Sequence, residues 1–204
     1  MKNNPESEKL TFLELINKYK KIEIPIIQRD YAQGREGKEE LRKNFLTALH
    51  GAVKAVNSKP LELDFIYGSV KDDVLQPLDG QQRLTTLFLL HWYIAEKEGK
   101  IIDTVVEKQL KKFTYETRIS SREFCEKLIE DGIVFTELLG TDYYEEDETK
   151  PKNNELSKTI IDSSWFFLSW KKDPTIKSML TMLDSIHQTF KNETEIWDKL
   201  NNIT

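Results

Sequence analysis

Between Gln81 and Lys97 the chain carries apolar side chains on nearly every helical face: Leu84, Leu87, Phe88, Leu89, Leu90, Trp92 and Ile94. A helix that is apolar on all faces has no side to offer water, so it must run through the middle of the structure with other elements around it. The rest of the chain has to supply that cover. Its 204 residues suffice for one large domain or two small ones. The segment is not a membrane span, because its longest apolar run, Leu87 to Ala95, is short and is interrupted by His91. The residues before Lys9 contain no apolar signal-peptide stretch. Cys125 is the only cysteine, so no internal disulfide can form. A reducing, cytoplasmic setting follows as the expectation.

The elements around this helix are legible in outline. Thr11 with Glu14 spells a capping box before Phe12, Leu13, Leu15 and Ile16. Ile22–Ile27 is β-branched and extended, and Pro25 inside it predicts an edge strand or a strand start. Gln28 to Gly37 reads as a loop. Glu39 to Val56 reads as a helix with Leu41, Phe45, Leu49 and Val53 along one face. Leu61 to Val70 and Val74 to Leu78 flank Lys71-Asp72-Asp73 and predict a hairpin. Asp79-Gly80 ends the second strand, at the door of the apolar helix.

The second half reads as helical. Ser120 with Glu123 predicts a capped helix to about Glu130. Tyr143 to Asn154 is acidic and polar and predicts a mobile loop. Glu155 to Trp170 predicts a helix carrying Trp165, Phe166, Phe167 and Trp170, an aromatic stripe that suits a core better than base stacking. Asp173-Pro174 places an N-cap before a proline at the first helical position, ahead of the stripe Ile176, Leu180, Leu183 and His187. A last helical pattern, Thr194 to Asn201, ends without an evident cap, and the chain is expected to continue in a longer native protein. The pattern predicts an α+β fold: a small mixed sheet with helices over residues 1–98, then an all-helical region over 99–204.

Charge narrows the function classes. The net charge of −5 divides unevenly: residues 1–98 hold 15 basic and 15 acidic side chains, residues 99–204 hold 15 and 20. An acidic chain is a poor electrostatic coat for nucleic acid, and an anion would meet less repulsion in the first half. Only 6 of the 30 basic residues are arginine, the better bidentate partner for phosphate. Two of those six, Arg29 and Arg83, lie in the two segments with chemical character.

The first of these is Asp79-Gly80-Gln81-Gln82-Arg83-Leu84-Thr85-Thr86, at the mouth of the apolar helix. Orphan N–H groups and the positive end of the helix dipole favour an anion there. Gly80 allows close approach to the backbone, and Arg83, one turn in, can clamp phosphate oxygens. Thr85 or Thr86 can add a hydroxyl, and Gln81 or Gln82 can orient water or read a base edge. Asp79 admits two readings, a simple helix cap or a magnesium-associated carboxylate. The second segment is Ile24-Pro25-Ile26-Ile27-Gln28-Arg29-Asp30-Tyr31, where Gln28 and Arg29 stand on opposite faces of an extended run.

Together, Ile-Pro-x-x-Gln-Arg-x-Tyr and, some fifty residues later, Asp-Gly-Gln-Gln-Arg-Leu-Thr-Thr-Leu resemble the N-terminal domain of GmrSD-type, modification-dependent restriction systems of bacteria. The resemblance implies a ParB/sulfiredoxin-like fold. It implies a domain that binds and hydrolyses a nucleoside triphosphate, with Mg2+, and regulates DNA cleavage in phage defence. Asp79, Gln81, Gln82 and Arg83 would be the catalytic set, with Asp79 on the metal. Gln28, Arg29, Gly80, Arg83 and Thr85 would bind the nucleotide. The partners implied are a nuclease domain or partner chain and, through the complete system, DNA, with no membrane. Many members carry Trp two residues after the Tyr; here Gln33 stands there, so a stacking role at that place is lost or moved.

Longer members carry a His-Asn-His-type nuclease. This chain has only His50, His91 and His187, each isolated, so the nuclease part is read as absent. The alternative to an NTPase is a nucleotide or modified-DNA sensor without turnover that signals to a nuclease. A protein-interaction scaffold, seen as a homo-oligomer, is the third reading. Arg118 and Arg122, flanking Ser120-Ser121, read either as an exposed capping turn or as residues facing the site. Cys125 reads as core filler.

Overall fold

The computed structural model describes residues 8–25, 30–55, 60–135 and 156–204. Gln28 and Arg29 of the first motif, and the acidic stretch with Tyr143 and Tyr144, lie outside the described residues.

The first helix, α1 (Phe12–Lys18), starts where its capping box predicts: the Thr11 hydroxyl accepts from the Glu14 amide, and the Glu14 carboxylate accepts from the Thr11 amide. Strand β1 (Lys21–Ile24) ends just before Pro25. The strand is central, with β3 on one side and β4 on the other, so the expectation of an edge is corrected. The proline sits past the last paired residue, where its missing N–H interrupts no ladder. Helix α2 (Glu39–Lys54) buries Leu46, Leu49, Ala52 and Val53, while Leu41 of the expected stripe is exposed.

Strands β2 (Tyr67–Lys71) and β3 (Val74–Asp79) form the expected hairpin. Its two turn residues, Asp72 and Asp73, both have positive φ, 52° and 65°. That is the two-residue geometry whose twist suits a hairpin. Asp73 is held there by the Lys20 amide, which donates to its carbonyl and to its carboxylate. Leu61 to Ile66, expected as strand, forms no strand of the sheet and meets the C-terminal residues through an isolated bridge, Leu61 with Ile203, and a Leu63–Thr204 hydrogen bond.

The sheet runs β2-β3-β1-β4, antiparallel at β2–β3 and parallel elsewhere. Its fourth strand, β4 (Phe113–Tyr115), comes from the half that reads as helical. All three of its residues are buried, so it lacks the alternation that marks a strand in sequence. Helix α3 (Gln81–Lys97) passes through the centre, with 13 of its 17 residues buried. Phe88 stacks on Phe113 of β4, His91 contacts Phe12 of α1, and the Trp92 indole donates to the Leu128 carbonyl.

Helix α4 (Thr104–Leu110) is capped by Asp103. Helix α5 (Ile119–Glu130) starts without a side-chain cap, which corrects the predicted box. The Ser120 hydroxyl instead donates to Asp173. Helix α6 is short (Leu156–Asp162), and the aromatic residues after it lie in a turn and a 3-10 segment, Leu168–Lys172. Trp165, Phe166 and Trp170 close around Phe124 of α5, mostly edge to face. They are core as expected, although not on a helix. Helix α7 (Pro174–Phe190) begins as predicted, with Asp173 accepting from the Thr175 and Ile176 amides. Tyr93 of α3 bonds His187 of α7 at 3.0 Å. The last helical pattern is a 3-10 segment, Asp198–Asn202, preceded by Glu195 at φ 54°.

Candidate functional site: the start of the central helix

Strand β3 delivers the chain directly to α3 through Gly80. Gly80 has φ 86° and is the N-cap residue, with no side chain capping the helix. Any other residue would be strained at that angle. Asp79 is therefore one place too early to cap. Its carboxylate is 60% exposed and lies 3.7 Å from the Arg83 guanidinium. The first N–H groups of a 17-residue helix start here with their dipole and no side-chain cap, an arrangement that favours an anion.

Arg83 is turned to the loop before β2. Its Nη2 donates to the Phe65 carbonyl at 2.6 Å, and Nη1 stands 3.5 Å from Asp64. Its Nε is buried without a partner. Gln81 is 9% exposed, and its Oε1 also lacks a partner. Leaving such a group unpaired costs about 1–3 kcal/mol, which sets both atoms apart from the well-satisfied interior.

Gln82 and Thr85 occupy different positions from those the motif suggests. Gln82 Oε1 accepts from the Ala32 amide at 2.8 Å, and its Nε2 donates to the Asp30 carbonyl at 3.0 Å. The side chain reads the backbone of the first motif's end as a peptide would, and it is engaged at both atoms. The Thr85 hydroxyl donates to the Gln81 carbonyl and lies 3.0 Å from the Tyr115 hydroxyl, fully inside. Both hold the site together from behind.

A second layer joins the two motifs. The Tyr31 and Thr86 hydroxyls are 2.8 Å apart, and Thr86 also donates to Gln33. Gln33 is thus bonded to the second motif, and its carbonyl accepts from Arg42. Burial pushes the Tyr31 phenol far above its ordinary range, so it remains neutral. The Asp30 carboxylate pairs with Arg35 at 2.9 Å and with Arg118 at the start of α5. Arg118 therefore belongs to this cluster. Arg122 leans instead on the Glu116 carbonyl, beside Glu23 of the sheet. On the far side, the Gly34 amide donates to the Ser178 hydroxyl of α7. Sequence reasoning offered the Thr86 hydroxyl to a ligand, whereas Thr86 bonds Tyr31 and Gln33. It gave no role to Asp30, Tyr31 and Tyr115. The one signal for them was the Asp and Tyr inside the first motif itself.

The histidines do not converge. His50 bonds Glu193, His187 bonds Tyr93, and burial lowers His91 to about 4, so it is neutral. Among the described residues no group of three or more His, Cys, Asp or Glu could hold a metal. A lone exposed carboxylate such as Asp79 still fits Mg2+, which is commonly held by one or two carboxylates together with substrate phosphates and waters. Cys125 is buried and its thiol is pushed up by burial, which suits packing. Among the described residues no helix is long and apolar enough to cross a membrane.

The model of the GmrSD restriction endonuclease N-terminal domain matches residues 12–203 of the chain. No curated protein and no solved structure matches it.

Proposed function

The chain belongs to the family of GmrSD restriction endonuclease N-terminal domains, and from that premise we propose that it binds and hydrolyses a nucleoside triphosphate to regulate a partner nuclease. One observation carries this reading. The mouth of α3 has a left-handed glycine, no side-chain cap and an arginine one turn in, with two buried polar atoms beside it lacking partners. Phosphate oxygens would sit on the amides after Gly80, with Arg83 as their clamp. Asp79 would hold Mg2+, which supplies charge neutralisation on the phosphates. By family resemblance, Gln28 and Arg29 would also bind the nucleotide. Gln82 and Thr85 act as positioning residues, and the water-orienting role falls to Gln81. Catalysis of this kind rests on positioning and electrostatics. The partners are a nuclease, as a domain or a separate chain, and DNA through the complete system, in the cytoplasm.

Thermal melting against a panel of triphosphates, with and without Mg2+, tests binding. A ligand at 100 times its Kd stabilises by about 2.7 kcal/mol. For a domain of this size that is a rise of roughly 5–11 °C. Phosphate release tests turnover. Arg83→Ala is expected to abolish the shift. An unchanged shift and unchanged release would overturn the assignment. A second reading, a nucleotide sensor without turnover, is favoured by one fact: Gln82, a candidate for orienting water, is engaged at both of its amide atoms. Saturable binding with no phosphate released would select it.

A further inference from the structure

A short segment connects the mouth of α3 to the C-terminal residues by hydrogen bonds. At one end, the Leu61 amide donates to the Asn202 carbonyl at 2.7 Å, and the Thr204 amide donates to the Leu61 carbonyl at 2.9 Å. The Leu63 amide donates to the Thr204 carbonyl at 2.6 Å. Ile203, between them, is buried. At the other end, the Phe65 carbonyl accepts from Arg83, and Asp64 lies beside the same guanidinium. Ile66 covers Gly80 so closely that a Cβ on Gly80 would stand 2.6 Å from its Cγ1. The Phe65 side chain is 78% exposed, so apolar burial does not anchor this stretch at Phe65. Arg83 holds it there.

We infer that Leu61–Ile66 is a strap that ties occupancy of the α3 mouth to the pairing of the C-terminal residues Asn202–Thr204. The inference rests on the nucleotide reading above and adds its regulation. A phosphate oxygen accepts from a guanidinium more strongly than a peptide carbonyl does. A triphosphate on the helix start therefore competes with Phe65 for Arg83. It also meets Ile66 lying on Gly80. The released Phe65 carbonyl loses little, because the surrounding chain is open to water. Freed at 64–66, the strap keeps its bridge to 202–204, the packing of Leu61 and Leu63 on the core and the exposed Glu62–Lys9 pair, and with one end released the bridge opens more often. Linkage makes the effect mutual: firm pairing at 202–204 lowers nucleotide affinity by the same factor that nucleotide loosens the pairing.

Amide hydrogen exchange on the whole chain reads this directly. The Leu61, Leu63 and Thr204 amides report the bridge. The Ser157 amide, bonded to the Asp184 carboxylate at 2.7 Å, reports structure away from the strap and its bridge. In the absence of ligand, Arg83→Ala is expected to speed exchange at the bridge amides about fivefold or more, the lower end of typical couplings, and to leave Ser157 unchanged. Arg83→Lys, which keeps the charge but loses the fork, is expected to do the same. In the unaltered protein, adding ATP or GTP with Mg2+ is expected to reproduce that loosening along the binding isotherm. Unchanged bridge amides in both arginine variants would overturn the strap. So would nucleotide binding that leaves them protected. If the variants loosen the bridge but neither nucleotide binds, the Arg83–strap linkage holds, while its control by nucleotide and the functional reading fall together.

Discussion

Replacing Gln82 by alanine separates a structural from a catalytic role for this residue. The side chain makes two bonds to backbone, from the Ala32 amide and to the Asp30 carbonyl. Both are partly buried, so truncation leaves a donor and an acceptor short of partners. At about 0.5–1.5 kcal/mol for each bond, the loss is about 1–3 kcal/mol. In a domain of this length a 2 kcal/mol loss lowers Tm by roughly 4–8 °C. The isosteric Gln82→Glu is more informative. Its ionised carboxylate still accepts from Ala32 but sets an oxygen against the Asp30 carbonyl. The protonated form can donate there, so folding raises the carboxyl's pKa above its unfolded value. The sign follows: its stabilising contribution is fully present below the unfolded pKa and is lost as pH rises through the folded one. Thermal melting from pH 5 to pH 8 is expected to show Gln82→Glu approaching the parent protein at the acidic end and falling away from it at the basic end. If Gln82→Ala melts with the parent and only phosphate release is lost, the backbone clamp is not what Gln82 supplies.

Further expectations come from close contacts and buried charge. Gly34→Ala would place a Cβ 1.9 Å from the Ser178 carbonyl oxygen of α7, a backbone atom that cannot step aside; overpacking of this kind costs at least about 1–3 kcal/mol, and chemical denaturation should show that loss or failure to fold. Gly80→Ala is strained at φ 86° and meets Ile66; a loss of about 1–2 kcal/mol is expected on denaturation, from the left-handed backbone alone. Burial raises Glu96 to about 7, from an ordinary 4.5. Its contribution is present below 4.5 and lost as pH rises towards 7, an order of 3 kcal/mol at most. Glu96→Gln should therefore melt higher than the parent at pH 8 and match it near pH 4.5. His91, lowered to about 4 by burial, acts in the opposite sense: its stability is present above 6.5 and lost as pH falls towards 4. The parent's melting temperature should thus vary little across that window, and Glu96→Gln should expose the acid loss due to His91.

What the sequence makes legible divides by distance along the chain. Elements whose signals are local came out as read: the Thr11–Glu14 box, the Asp72-Asp73 hairpin, the Asp79-Gly80 junction, Asp173-Pro174 and the all-round apolar helix. Those that failed depend on partners far away. Ser120 looks like a cap, but Asp173, 53 residues on, accepts its hydroxyl. Phe113–Tyr115 looks like nothing in particular, because a strand buried on both faces has no period to betray it. Of the aromatic run after Asp162, Trp165, Phe166 and Trp170 are core as expected but lie off a helix, and Phe167 of the expected stripe is exposed, since the spacing of aromatic residues does not distinguish a turn from a helix.

The two motifs show the same division within the site itself. Their residue types suggest a set of groups all facing one ligand. The geometry assigns them in two ranks. Gln82, Thr85 and Thr86 bind the motifs to each other and to Tyr31, Gln33 and Tyr115. Gly80, Gln81 and Arg83 remain at the mouth with unmet bonding capacity. A single contiguous run from Gly80 to Thr86 yields both ranks because successive helical residues point about 100° apart. Gln82 and Thr86 therefore share the face towards the first motif, while Arg83 looks to the Asp64–Phe65 loop. The start of α3 thus meets the first motif through Gln82 and the Asp64–Phe65 loop through Arg83, with the uncapped helix mouth between them. A change at any one of them is expected to be felt at the other two.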